Sequence, residues 1–289
     1  MKRWSENFLN SVCQPALREE VENLAPICVD FDAKLKRLKA NVILSNFIDR
    51  DEFDNIEWDD MVDRATEHQF LQKIQKGLDT MASTPMGRDI LSGLYASTYF
   101  GVAPMEQTGR FFDRSCPMVF LRASEDVFKN KNLMLKILVH ESVHAKNVEI
   151  KELLCAYVLT PELSFMKHMF NELSAYLSEQ VVIAQKQNRD ITTAHQTQQQ
   201  VFDLLERLVD GGYVSDFSDR VIRCHRADIL NPKKSVFSQQ QLPLFAYYFK
   251  AYPALCDLAV IDRLHQAYNH HVVKKARHQM QRKEAKHTR

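Results

Sequence analysis

Glycine is scarce in this chain: seven residues in 289. Five of the seven fall between Gly77 and Gly109, and the other two are the pair Gly211-Gly212. So little glycine, in a sequence rich in Leu, Lys, Gln and Glu, argues against an all-β protein and for a mostly helical one. The six cysteines at 13, 28, 116, 155, 224 and 256 form no CxxC pair. That excludes a Cys-rich zinc knot, and the spacing suggests no disulfide framework, so buried reduced thiols are expected. The start, Met1-Lys2-Arg3-Trp4-Ser5-Glu6-Asn7, lacks the apolar run of a Sec signal, and no stretch has the length and purity of a membrane span. The expectation is a chain made in the cytoplasm with no integral membrane segment, or one exported by a route that reads no Sec signal. There is no internal repeat and no long low-complexity tract.

Charge of one sign is also missing overall, the formal net being +1. This balance argues against a protein whose main task is coating nucleic acid. It is unevenly spread: residues 274–289 hold seven Lys/Arg against one Glu, a net of +6, leaving −5 on the rest. The tail is read as a solvated helix end or disordered. What is plentiful is apolar material, 45% of the chain, with 10% aromatic residues, enough for a packed core.

Along the chain, residues 1–96 read as an N-terminal helical region. Phe8, Leu9, Val12 and Leu17 suggest a first helix, and Phe31, Leu35, Leu38 and Val42 a second. Another runs from Trp58 to Leu78, and a short one lies around Ile90–Leu94. Residues 97–123 change character. Ser97–Val102, Gly109–Phe112 and Pro117–Arg122 are β-like, with Asp113–Cys116 as a hairpin connection. A helix is predicted over Asn132–Val148, with extension toward Leu159. Thr160-Pro161-Glu162 then reads as a helix start: Thr caps, Pro suits the first position, and Glu complements the dipole. That helix is predicted over Pro161–Gln187. Residues 191–273 form a C-terminal helical region broken at Gly211-Gly212, Asn231-Pro232 and Pro253, and 274–289 are the basic tail.

One motif dominates. His140-Glu141-Ser142-Val143-His144 reads HExxH, following the apolar run Leu133–Val139. On a helix, residues four apart share a face, so His140 and His144 reach one metal ion together, with Glu141 on the flank where water would be activated. A zinc hydrolase needs three protein ligands and one open position. The best third ligand is Glu172, in Phe170-Asn171-Glu172-Leu173-Ser174-Ala175-Tyr176, 28 positions after His144. Small Ala175, one turn on, lets its helix pack close. Glu162, His168 and Glu179 stay open as alternatives, though a packed or surface role suits His168 better. A di-iron helical protein would need a second Glu-x-x-His, and the chain has only Glu141–His144.

With these residues in place, roughly 97–190 resembles the gluzincin class of zinc metallopeptidases. These carry HExxH on one helix and a glutamate ligand on a following one, often as Glu-x-x-Ala, below a sheet whose edge strand lines the cleft. The resemblance implies an α+β, predominantly helical protein with a zincin-like core at 97–190. It implies zinc held by His140, His144 and Glu172, and Glu141 as general base on a protein or peptide substrate. It implies that the strand at Met118–Arg122 pairs with an extended substrate. Two positions depart from the class pattern. Lys146 stands where a hydrophobic residue is usual, and Tyr176 where an acidic residue often orients a histidine. Glu179 is a substitute for that orienting role, and Tyr176 a hydrogen-bond donor to the reacting carbonyl. Tyr213, Arg223 and His225, after the glycine pair, are further oxyanion candidates. Two functional expectations follow: a zinc endopeptidase, with a host-directed effector role compatible with the absent Sec signal, or a catalytically inactive metal-stabilised module that binds a protein partner. Oligomeric state leaves no mark in the sequence.

Overall fold

A computed structural model describes residues 2–22, 30–43, 64–103, 108–112, 117–154, 159–231 and 241–287. The protein is predominantly helical with one small mixed sheet, an α+β arrangement. Its residues fall into two compact units. One comprises residues 25–150 and 175–192, the other 1–24, 151–174 and 193–289. No helix among the described residues is long and apolar enough to cross a membrane.

The first unit contains α3 (Phe31–Ala40), α4 (Arg64–Ala82), α5 (Pro85–Ser92), a short α6 (Glu125–Lys129) and nearly all of α7 (Lys131–Leu153). Its sheet has the order β1 (Val42–Ile43), β2 (Tyr99–Ala103), β4 (Met118–Arg122), β3 (Gly109–Phe112). β1, β2 and β4 run parallel, and β3 lies antiparallel to β4, with Gly109 opposite Leu121. The β3–β4 hairpin is the one expected, and its connection at 113–116 lies outside the described residues. Two expectations need correction. Val42 belongs to a strand rather than to the second helix. Asn41 ends α3: its side-chain amide donates to the Ala96 and Thr98 carbonyls, and its own carbonyl accepts from Phe100 N–H, which draws the chain into the sheet. And β4 is an interior strand, paired on both sides, so it cannot accept a further strand. The edge beside it is β3. The helix expected over 58–78 is α4 from Arg64, residues 58–63 being outside the described set.

The core of this unit draws on both sides of the sheet sequence. Ile74, Leu78 and Met81 of α4 join Phe100 and Val102 of β2, Val119 and Leu121 of β4, and Leu135, Leu138, Val139 and Val143 of α7. α7 carries apolar residues on most of its circumference, as a helix enclosed by other elements must. Its start is set by Asn130, whose Oδ1 accepts from the N–H groups of Asn132 and Leu133.

The second unit is built from α1 (Lys2–Val12), α2 (Pro15–Glu22), the first half of α8 (Pro161–Lys186), α9 (Gln198–Asp210), α10 (Tyr213–Leu230), α11 (Pro243–Ala251), α12 (Leu258–Tyr268) and α13 (Lys274–His287). Pro15 divides the helix expected over 8–17 in two, because proline removes the N–H that would continue it. α8 starts where expected, Leu163 N–H donating to Thr160 Oγ1. Thr197 and Gln200 close a capping box on α9, and Gly212, with φ at +76°, makes the left-handed turn into α10. The core is aromatic: Phe170 of α8 packs its ring against Phe245, Tyr248 and Phe249 of α11, and Phe8 of α1 meets Phe245 edge-on at 5.3 Å. Arg263 of α12 grips Glu206 of α9 through two hydrogen bonds of 2.6 and 2.8 Å. The basic tail is mostly helical, as α13. The expectation of buried thiols fails for Cys224 and Cys256, which are exposed. Cys28, Cys116 and Cys155 lie outside the described residues.

His265 of α12 stacks on Trp4 at a ring separation of 4.3 Å. Burial there, with the positive N-terminus as a further cause, lowers its pKa to about 4. The unfolded imidazole titrates near 6.5, so between about pH 6.5 and pH 4 the unfolded chain binds the extra proton. Stability therefore falls as pH drops through that window and is unaffected by this group above it. Because the ring is only partly enclosed, the expected loss is about 1–2 kcal/mol. Denaturant unfolding at pH 7 and pH 4.5 should show that loss, and His265→Phe, which keeps a stacking ring, should lose less. Equal losses in both proteins would refute the assignment.

Candidate metal centre

α7 presents His140 and His144 one turn apart, their rings 4.7 Å from centroid to centroid and nearly perpendicular. α8 carries Glu172. One ligand atom from each of these three residues lies within 4.8 Å of the other two, and His144 and Glu172 are buried. Among the described residues this is the one group of three or more His, Cys, Asp or Glu side chains gathered closely enough to share a cation. The alternatives Glu162, His168 and Glu179 are not in it as ligands. His168 instead stacks on Phe217, 5.7 Å away.

The donor set fits zinc. Two imidazoles and one carboxylate are a ligand combination of catalytic zinc sites, which keep the fourth position open. Bonds of about 2.0–2.2 Å place neighbouring donors about 3.4 Å apart, so side-chain rotation moving the widest pair by about an ångström or more closes the site.

Glu179 supplies the outer contact. It lies two turns after Glu172 on the same helix, and its Oε1 is 2.6 Å from His140 Nδ1. With Nδ1–H donating to that carboxylate, Nε2 is the nitrogen left for a metal. Tyr176 takes a different place: its ring meets His140 edge-on at 4.7 Å. Sequence position 176 thus holds an aromatic wall against the histidine, while the acidic contact comes from one turn further along α8. Replacing Glu179 with Ala should weaken zinc binding by about 10–100-fold, and Glu179→Gln, which keeps an acceptor oxygen, by less. Competition against a calibrated chelator measures this; unchanged affinity in Glu179→Ala would remove the orienting role.

Glu141 is buried on the flank of α7 and lies against β3. A Cβ built on Gly109 would come within 3.0 Å of the Glu141 Cγ and Oε1 atoms and 2.4 Å of Ile137 Cγ2. The absence of a side chain at Gly109 is what lets the edge strand approach the carboxylate so closely. Lys146, the second departure from the class pattern, is also explained. Its alkyl stem packs where a Cβ at Gly93 would be, 2.8 Å from Cγ and Cε, and its ammonium reaches Asp89 Oδ2 at 2.6 Å. The stem does the packing expected of a hydrophobic residue, and the charge is carried out to a partner.

Tyr248 of α11 is a residue that sequence reading missed. It is fully buried, stacked on Phe170, and burial pushes its phenol well above the ordinary tyrosine value, with Tyr247, Tyr252 and the Glu172 carboxylate adding to the effect. The phenol is neutral and senses the charge of the third candidate ligand. Nothing in the apolar run Pro243–Ala251 signals this. The oxyanion candidates after the glycine pair sit on α10. Tyr213 is 44% exposed with its ring on Phe217, and His225 marks a kink with φ −124° and ψ 22°.

No protein-family model matches the chain, and neither a curated protein nor a solved structure shows significant similarity to it.

Proposed function

We propose that the protein is a zinc metallopeptidase of gluzincin type, with a zincin-like core in residues 97–190 and a protein or peptide as substrate. The observation that carries this is the grouping of His140, His144 and Glu172, with Glu141 beside the first histidine. His140, His144 and Glu172 would hold the ion, and Glu179 would fix His140 in the tautomer that presents Nε2. Zinc bound there supplies Lewis-acid polarisation of a carbonyl oxygen and makes water acidic enough to lose a proton near neutral pH. Glu141 takes the proton of the attacking water on its carboxylate and passes it to the departing amide nitrogen, breaking the C–N bond. Tyr176, whose ring lies against His140, would donate a hydrogen bond to the oxygen that gains charge.

β3 is the substrate-pairing strand in this reading, in place of β4. It is one of the sheet's two edge strands among the described residues, and Gly109 brings that edge against Glu141. An extended peptide adding to β3 would run its backbone past the general base.

The test combines metal analysis with metal removal. Purified protein should carry about one zinc per chain and cleave members of a broad peptide library. Chelation should abolish cleavage, and added zinc should restore it. Absence of bound zinc under zinc-replete conditions would end the metal reading. One zinc with no cleavage of any peptide would end the peptidase reading and leave a metal-stabilised binding module.

A further inference from the structure

We infer that Cys13 and Cys256 form an oxidant-responsive disulfide that fastens the N-terminal helix to the connection between α11 and α12. The two sulfur atoms are 3.6 Å apart although 243 positions separate the residues. Cys13 follows the last residue of α1, and Cys256 ends the 3-10 turn Pro253–Leu255. Both are helix-end positions, where small dihedral changes reorient a side chain. A disulfide bond is about 2.05 Å long, so closure requires about 1.5 Å of approach. Cys13 is half-buried and Cys256 exposed, which assigns an order to the chemistry.

The Cys256 thiolate, open to solvent, attacks a small disulfide oxidant such as oxidised glutathione. A mixed disulfide forms and one glutathione thiolate leaves. The Cys13 thiolate then attacks the Cys256 sulfur, forming the protein disulfide and expelling the second glutathione thiolate. Two protein thiols are oxidised and one glutathione disulfide is reduced to two thiols. The remaining described cysteine, Cys224, is exposed with no thiol near it among the described residues, so its mixed disulfide has no such resolving partner.

The staple reinforces an existing attachment. Trp4 and Phe8 already anchor α1 through His265 of α12 and through Phe245 and Phe249 of α11. A covalent link at the other end of α1 closes nearly the whole chain into a loop, the arrangement in which cross-linking most restricts the unfolded ensemble. This inference rests on nothing at the metal centre.

The experiment uses the full chain incubated with oxidised glutathione or with dithiothreitol, blocked with N-ethylmaleimide and mapped by non-reducing peptide mass spectrometry. The expected oxidised product links the peptides containing Cys13 and Cys256, while Cys224 carries glutathione. Cys13→Ser should stop at a glutathione adduct on Cys256. Oxidised wild type should melt about 5 °C above the reduced protein, and Cys13→Ser should show no such rise. Wild type in which Cys256 retains glutathione while Cys13 is alkylated would overturn the disulfide. A linked protein that melts no higher than the reduced one would overturn the stapling.

Discussion

Glu141→Gln should lower the peptide-cleavage rate by about 10²–10⁴-fold while leaving zinc content unchanged. That range is the usual contribution of a positioned general base and corresponds to about 3–5 kcal/mol in the barrier. The substitution is nearly isosteric at a buried position against Gly109, so the packing between α7 and the edge strand is retained. What is lost is the ability to accept a proton, since an amide oxygen is far too weak a base. The comparison requires kcat/KM and metal stoichiometry on the same preparation. Equal kcat in variant and wild type would refute Glu141 as base, whatever happens to the metal. A fall in cleavage accompanied by loss of zinc would show that the residue holds the site together and would count against the proton-transfer role.

The second large effect is on metal retention. His144→Ala and Glu172→Ala each remove one of three donors, and both should reduce bound zinc from about one per chain to near zero at sub-micromolar free metal. The folded state should lose the stabilisation that ligand binding gives by mass action, about 4 kcal/mol at a free zinc concentration a thousandfold above the dissociation constant. His168→Ala and Glu162→Ala serve as controls, because neither residue lies in the three-residue group and His168 stacks on Phe217. They should bind zinc as the wild type does. Stoichiometric zinc in Glu172→Ala would remove Glu172 from the ligand set. Stoichiometric zinc in both ligand variants would remove the site itself.

The parts of this arrangement that were legible in the sequence are those governed by local rules. The four-residue spacing of His140 and His144, the Thr160-Pro161-Glu162 start and the helix carrying Glu172 depend on helix geometry and capping alone. Position 179 follows from the same periodicity, seven residues being two turns, but the choice of His140 as its partner is a tertiary contact. The strand at Val42 escaped because its cause lies elsewhere: Asn41 binds the carbonyls of Ala96 and Thr98, more than 50 positions away. The interior position of β4 escaped for a related reason. A β-like run of apolar residues looks the same whether one or both edges are paired, and the parallel pairing with β2 is set by the fold. Lys146 looked like a departure because its letter denotes a charge, whereas the contact is made by its methylenes.

The carboxylates near the two histidines carry a consequence for which ion the proposed site would take. Glu172 in the three-residue group and Glu179 on His140 bring two carboxylates to one pair of imidazoles. Such a cluster attracts any divalent cation, and charge does little to tell one from another. Among first-row metals the intrinsic order of affinity rises to copper and falls again at zinc, so discrimination rests on donor geometry and on which ion is supplied. Any metal recovered with the purified chain would therefore record the medium in which it folded as much as the site. A protein prepared with copper in excess should come out loaded with an ion that the imidazole–carboxylate set binds well but that is a poorer match to a tetrahedral position left open for catalysis.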